Sequence, residues 1–445
     1  MFVRLLKAVG ICAALVATLA AAECDDEYVN PAVQKGYSFD DLVNTTTPSQ
    51  KPSTAPSPVP SSVGSATPPA SGHVQAKIRA GEVKSRGVNL GGWLVTEKWM
   101  NAGSDIWNDV PAQYSGGGEY VTMKHGSNVD DRRKRFTKHH DTFIMENDIR
   151  EIAEAGLNTV RVPVGYWITG ADPSDISNKG EWKAYPQGTL AYVDRLIREW
   201  GVKHNVAVMI SIHAAKGSQN GQDHSAPAEP GKAYWSKYQE NVDNTLYVAK
   251  FLADRYKDDA AFLGLCLLNE PNADTSESVV NQYYQDAYKA IRDTGNDCIL
   301  SIMPMLYKQT AENLNGFMEA PKYTNVWVEW HPYFLWGYED VSADDLVNKS
   351  ILQTFDAKIK KWVNRAGANK MFFGEWSLGN AGQYKNADSD GYKKWTQAQM
   401  TVMNQASAGW TFWSWHIEGD DKNYNAWSLR SVLHRDALKQ IVMKN

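Results

Sequence analysis

Residues Asp141–Gly165 read DTFIMENDIREIAEAGLNTVRVPVG, and this stretch decides the fold class. Its first part sets Phe143, Ile144, Ile149, Ile152, Ala153 and Leu157 at helical spacing, the stripe by which a helix buries one face. Its second part, Thr159–Gly165, is a short apolar run rich in β-branched residues. A helix leading straight into such a strand is the unit of a parallel sheet. Seven more runs of the same kind are found at Arg86–Gly92, Val206–Ile212, Phe262–Glu270, Asp297–Pro304, Asn325–Tyr333, Lys370–Trp376 and Gly409–His416. Eight strands over roughly 370 residues predict an α/β fold of the (β/α)8 (TIM) barrel type with elaborated loops. A doubly wound open sheet is the structural alternative, weakened because no glycine-rich phosphate loop follows any run.

The 445 residues would admit up to three domains, and 43% hydrophobic with 22% charged residues is the balance of a globular protein. With a net charge of −5 there is no basic surplus, so nucleic acid is not an expected partner. The 17 Trp and 21 Tyr are an excess that suits stacking on a flat ligand such as a sugar ring.

At the N-terminus, Arg4 and Lys7 precede an apolar run that ends in Ala20-Ala21-Ala22. This predicts a signal peptide over 1–22 and a secreted, extracellular or wall-associated protein. No later run is long enough for a membrane span, which needs roughly 20 residues. A short segment (23–43) precedes a Ser/Thr/Pro-rich stretch (44–72) that reads as a disordered linker. The rest (73–445) is expected to be one catalytic domain, acting as a monomer. Secretion gives meaning to the glycosylation sequons at Asn44 and Asn348. Cys24, Cys266 and Cys298 would remain after processing, and the sequence leaves any pairing of Cys266 with Cys298 open.

In a barrel the C-terminal strand ends form the active face. Those ends carry Arg161, His213, Asn269-Glu270-Pro271, His331-Pro332-Tyr333, Glu375-Trp376, and Trp413, Trp415 and His416. Ionisable groups ending apolar strands are costly unless they pair or do chemistry. Two carboxylates on opposite sides of one cleft suit glycoside hydrolysis, with one acting as acid and one as nucleophile or base. For Glu270 and Glu375 the expected separation is about 5–5.5 Å, the retaining geometry. Arg161 beside a carboxylate is expected to keep it ionised. His213 and His331 lack a third His or Cys at ligand spacing, so neither a metal nor another cofactor is expected. His139-His140, within DDRRKRFTKHH, is read as a solvated helix entry. Trp167, Trp336, Trp376, Trp413 and Trp415 lie at or beyond strand ends, where some can stack on sugars.

RGVNLGGWLVTEKW, GLNTVRVPVGYW, LLNEP, HPY, FGEW and GWTFWSW occur in this order between about Ser85 and Trp427. The set resembles glycoside hydrolase family 5, and within it the secreted fungal-type exo-β-1,3-glucanases. The resemblance implies a retaining (β/α)8 barrel with Glu270 as acid/base, Asn269 on the sugar 2-hydroxyl and Glu375 as nucleophile. It places Arg161, His213, His331, Tyr333 and Trp413 around the −1 sugar, and Glu97 as the carboxylate that grips a terminal glucose. After the third strand this chain departs from the family's usual DLHGAPGSQNG followed by Phe and Asn. It reads SIHAAKGSQNGQDHSA, with Lys216 in place of Pro, Gln222 at the Phe position and His224 at the Asn position. The aromatic clamp for the +1 sugar is therefore half missing, and Trp336 stands where its other member is expected.

These readings imply release of glucose from the non-reducing ends of β-1,3-glucan through a covalent glycosyl-enzyme, with transglucosylation open to the same chemistry. An endo-acting or β-1,6-specific glucanase is the alternative within the family. A non-catalytic glucan-binding wall protein is the alternative outside it.

Overall fold

Alternation along each strand sorts the side chains into two layers, because successive residues of a strand point to opposite faces. In β2 (Thr159–Gly165), Val160, Val162 and Val164 join the core beneath the helices, while Arg161 between them is fully buried on the other face. In β3 (Ala207–Ala214), Val208, Ile210 and Ile212 join that same core, while Ala207 and Met209 join a separate cluster within the barrel. The computed structural model describes residues 72–444, so the expected signal peptide, short segment and all of the linker but Gly72 lie outside the described residues, as do Asn44 and Cys24.

The strands β1 (Ser85–Asn89), β2, β3, β4 (Phe262–Cys266), β5 (Ile299–Ile302), β6 (Val326–Trp330), β7 (Lys370–Phe373) and β8 (Gly409–Phe412) form a closed barrel in chain order. Every neighbouring pair is parallel, and the ring closes by pairing Ser85–Val88 of β1 with Gly409–Phe412 of β8. Closure removes the open doubly wound sheet from consideration. The barrel's inner cluster includes Met209, Leu263, Cys266, Ile299, Trp327 and Phe372, and Ile78 of the helix Val74–Ala80 packs into it. Apolar packing thus fills the lower barrel and leaves the polar groups for the opposite rim.

The stretch that opens the sequence reading divides more finely than its pattern implies. Asp141 and Thr142 end one helix, Val129–Thr142, and the next is Glu146–Glu154, where Asp148 accepts from the Met145 N–H at 2.8 Å. Ile144, Ile149, Ile152 and Leu157 are all buried as the stripe requires. His139 and His140 correct the expectation of a solvated helix entry, because the chain after β1 folds back over this helix and buries both. His139 Nε2 lies 2.8 Å from the Gly92 carbonyl, and Trp93 Nε1 donates to the His140 carbonyl at 2.8 Å. Burial lowers the His139 pKa to about 4.

Cys266 and Cys298 are both buried free thiols, which answers the open question of their pairing. Cys266 ends β4 in the barrel cluster, whereas Cys298, just before β5, packs in the outer core. Asn348 is exposed on a surface helical stretch, Leu346–Phe355. No helix among the described residues is long and apolar enough to cross a membrane.

Candidate active site

Where the sequence places polar residues at the ends of apolar runs, the ladders stop and short loops continue from them. β4 ends at Cys266, but the Asn269 N–H still donates to Ile212 of β3 at 3.0 Å and fixes the next turn. Glu270 follows with φ 47°, a left-handed backbone that costs a non-glycine residue about 1–3 kcal/mol. Its carbonyl is held by Asn220 Nδ2 at 3.1 Å. Gly374 precedes Glu375 because a Cβ there would sit 1.8 Å from Glu329 Oε1, so only glycine lets β7 pass.

Glu270, His331 and Glu375 converge, with one ligand-type atom from each within 4.8 Å of the other two. Glu375 Oε1 accepts from Arg161 Nη1 at 3.0 Å, and its Oε2 accepts from the Tyr333 hydroxyl at 3.0 Å. Glu270 Oε1 lies 2.7 Å from His331 Nδ1, whose ring reaches Glu329 Oε1 with Nε2 at 3.1 Å. Arg161 also donates to Asn89 Oδ1 at 2.9 Å and Asn269 Oδ1 at 2.8 Å, and its Nε is 3.0 Å from Glu329.

Burial would neutralise this cluster, and mutual pairing prevents it. Desolvation works to raise Glu329, but the Arg161 charge and the His331 hydrogen bond hold it down at about 2. Desolvation works to lower His331, yet Glu375, Glu270 and Glu329 together raise it to about 9. Desolvation likewise opposes the charge on Glu270, but its bond to His331 keeps it below the ordinary range. Glu375 is the exception. Desolvation, with the nearby Glu270 charge, raises it despite His331 and Arg161. Arg161 stands beside Glu375 and lowers it as expected, but it divides its charge with the more deeply buried Glu329, and burial and Glu270 outweigh it at Glu375.

His213 and Trp413 form one wall, their rings stacked at 5.4 Å and 8°. Desolvation first, and Arg161 next, push His213 well below its usual value, which favours the neutral ring. Glu97 is buried and accepts from Trp99 Nε1 at 2.8 Å. Its pKa is raised well above normal by burial and then by Asp223. Glu97, Asp223 and His224 also place one ligand-type atom each within 4.8 Å of the others.

The tryptophans divide by burial. Trp336 is 55% exposed at the mouth and meets Tyr333 edge-on at 5.6 Å. Trp427 bridges Trp336 at 6.1 Å to Trp99 at 5.5 Å. Trp167, Trp376 and Trp415 are fully packed: Trp167 lies 3.9 Å from the Tyr185 ring, and Trp415 Nε1 donates to Asp148 at 2.9 Å. His416 pairs with Asp420 rather than with the cluster.

Sequence reasoning missed Glu329, Asn89, Trp99 and Trp427. Glu329 had a signal, since Trp327, Glu329 and His331 alternate along one apolar strand and point to the same side. Trp427 had none, because it is remote from any strand end.

A closed (β/α)8 barrel with paired buried carboxylates at its rim defines a glycosidase. The family described as Cellulase (glycosyl hydrolase family 5) matches residues 124–419, and the chain belongs to that family. A glucan 1,3-beta-glucosidase of Blumeria graminis is 29% identical, over 75% of this chain and 83% of its own. A probable glucan 1,3-beta-glucosidase A of Emericella nidulans is 28% identical, over 80% and 90%. Among solved structures, a rutinosidase from Aspergillus niger shares the fold with a TM-score of 0.64 at 19% identity, covering 81% of this chain and 99% of that one.

Proposed function

We propose that the protein is a retaining β-glucosidase that releases glucose from the non-reducing ends of β-1,3-glucan. The observation that supports the retaining mechanism is that Glu270 and Glu375 bring one carboxylate oxygen each within 4.8 Å, with His331 Nδ1 between them at 2.7 and 3.6 Å. Retaining pairs lie about 5–5.5 Å apart, whereas inverting pairs need roughly 6.5–9.5 Å for a water between them. The relatives named glucan 1,3-beta-glucosidase support the substrate.

The donors around each carboxylate support the roles read from the sequence. Glu375 accepts from the Arg161 guanidinium on one oxygen and the Tyr333 hydroxyl on the other, the arrangement that suits a charged nucleophile. Glu270 has His331 on Oε1 and offers Oε2 to the leaving oxygen. A proton on Glu270 removes one of the two influences that raise Glu375, leaving burial opposed by His331 and Arg161. In that protonation state Glu375 attacks the anomeric carbon and Glu270 protonates the departing oxygen. Glu270 then takes a proton from the water that releases glucose. A sugar hydroxyl in place of water would give transglucosylation by the same step.

Glu97 supports exo action. A buried carboxyl beside Trp99 is placed to bond two hydroxyls of a terminal sugar and to obstruct a chain running through. Product analysis on β-1,3-, β-1,6- and β-1,4-linked glucans tests the reading. Glucose of retained β-configuration as the first product of laminarin supports it, and a ladder of oligosaccharides overturns exo action. Secretion and a monomeric state belong to the same proposal; recovery of the chain from the culture medium tests the first, and size-exclusion chromatography the second.

A further inference from the structure

Asn269 and Glu270 are successive residues, and both face the cleft. Asn269 Oδ1 accepts from Arg161 Nη2 at 2.8 Å, and Glu270 Oε1 lies 2.7 Å from His331 Nδ1. A regular strand would send two neighbours to opposite faces, so the chain must turn between them. The turn is the left-handed backbone of Glu270, with φ 47°. Its local sequence works against it. Glu270 carries a Cβ, and Pro271 draws the residue before it toward extended backbone. The Glu270 N–H meets the Met303 thioether, a weak acceptor, at 3.4 Å.

The support comes from two successive side chains on the loop after β3. Gln219 Nε2 donates to the Asn269 carbonyl at 2.7 Å and to the His213 carbonyl at 2.8 Å, while its Oε1 accepts from the Ala215 N–H at 3.2 Å. Asn220 Nδ2 donates to the Glu270 carbonyl at 3.1 Å, and Asn220 Oδ1 accepts from the Gln222 N–H at 3.0 Å. The second hydrogen on Nδ2 goes to His224 Nε2, 2.9 Å away. Both amides are buried and use their donor and acceptor ends alike, which fixes their orientation. The backbones are tied as well. The Gln219 carbonyl accepts from Thr275 Oγ1 at 2.7 Å, and the Asn220 carbonyl from Asn272 Nδ2 at 2.9 Å.

The two carbonyls belong to the peptide planes before and after the Glu270 Cα, the planes whose relation its φ and ψ define. We propose that Asn220 is a positioning residue for acid/base catalysis, holding the plane after Glu270 while Gln219 holds the plane before it, so that the carboxyl stays aimed at the leaving oxygen. The proposal rests on Glu270 being the acid/base. Without the Asn220 donor the second plane is free, the backbone relaxes toward the extended region, and the carboxyl swings away from His331. Glu375 keeps its bonds to Arg161 and Tyr333 on the far side of the cleft. Loss of Asn220 therefore impairs the proton transfers and spares the nucleophile.

The test uses Asn220→Leu and Asn220→Asp. Leu removes the amide at similar size. Asp keeps an oxygen for the Gln222 N–H, and so the loop, but at neutral pH replaces the donor with an acceptor. Kinetics are measured on laminaribiose, whose leaving group needs a proton, and on 2,4-dinitrophenyl β-glucoside, whose leaving group does not. Both variants should lose about ten- to hundredfold in kcat/KM on laminaribiose, the order that a misplacement of about 1 Å costs. On the dinitrophenyl substrate kcat/KM should stay within about threefold, while kcat falls about tenfold because water still needs the base in the second step. Azide attacks the anomeric carbon without a base, breaking its bond to Glu375, and should restore kcat there with β-glucosyl azide as product. Equal losses in kcat/KM on the two substrates, no recovery with azide, or wild-type kinetics in both variants would overturn the role of Asn220 alone. Glu270→Gln measured alongside separates the two readings, since it should show the same split and the same recovery. If it hydrolyses laminaribiose at the wild-type rate, the acid assignment itself fails.

Discussion

His331 Nδ1 lies 2.7 Å from Glu270 Oε1, and on the other side of the same ring Nε2 meets Glu329 at 3.1 Å. One imidazole thus links a rim carboxylate to a carboxylate buried in the barrel. Glu270 and Glu375, the proposed catalytic pair, are thereby tied to the Arg161–Glu329 ion pair.

Removing either carboxylate should separate the two steps. Glu375→Gln is expected to lose at least about 10⁴-fold in kcat on every glycoside, as loss of a nucleophile does. Glu270→Gln should lose about 10²–10⁴-fold on laminaribiose but little in glycosylation by dinitrophenyl glucoside. Pre-steady-state kinetics on the activated substrate, with a burst in Glu270→Gln and none in Glu375→Gln, checks the assignment.

Arg161→Met leaves Glu329 buried with one partner fewer, and should destabilise the fold by about 3–5 kcal/mol in urea unfolding. Combining it with Glu329→Gln removes the stranded carboxylate, so the double variant should be more stable than Arg161→Met alone. Equal or greater loss in the double variant would contradict the pairing.

Stability should fall with rising pH through Glu119. Desolvation raises this fully buried carboxyl to about 8 against the bonds from Thr96. The unfolded chain releases its proton near 4.5 while the folded chain keeps it to about 8, so the fold loses stability between those values and levels off above them. The upper limit of that loss is about 5 kcal/mol at roughly 1.4 kcal/mol per unit. Glu119→Gln should flatten this part of the melting-temperature profile, and a profile identical to that of the wild type would count against it.

At the mouth, Trp336→Ala should raise KM for laminaribiose about five- to tenfold with kcat within threefold, the worth of one stacked aromatic face. Gln222→Phe should lower KM by a similar factor by supplying a second face. Steady-state kinetics on di- and trisaccharides reads both.

Much of this was legible from residue order because strand alternation is local. Arg161 between Val160 and Val162, or His331 two residues after Glu329, reveals a side chain that turns into the barrel. The His139-His140 expectation failed for the opposite reason. Charged neighbours in DDRRKRFTKHH suggest solvent, but Gly92 and Trp93 arrive from a loop far along the chain and bury both rings.

The sequence by itself determined the eight-strand barrel and the polar residues at its strand ends, because periodicity and strand termini are properties of neighbouring residues. Tertiary structure decided their electrostatics. Whether Glu270 and Glu375 sit above or below the ordinary carboxylate range depends on burial and on partners brought in from other strands. Glu329 takes a share of the Arg161 charge that the sequence reading had given to a single rim carboxylate. His224, marked in the sequence only as a departure from a family pattern, comes within 3.4 Å of Glu270 across 46 positions of chain, a separation that only folding closes.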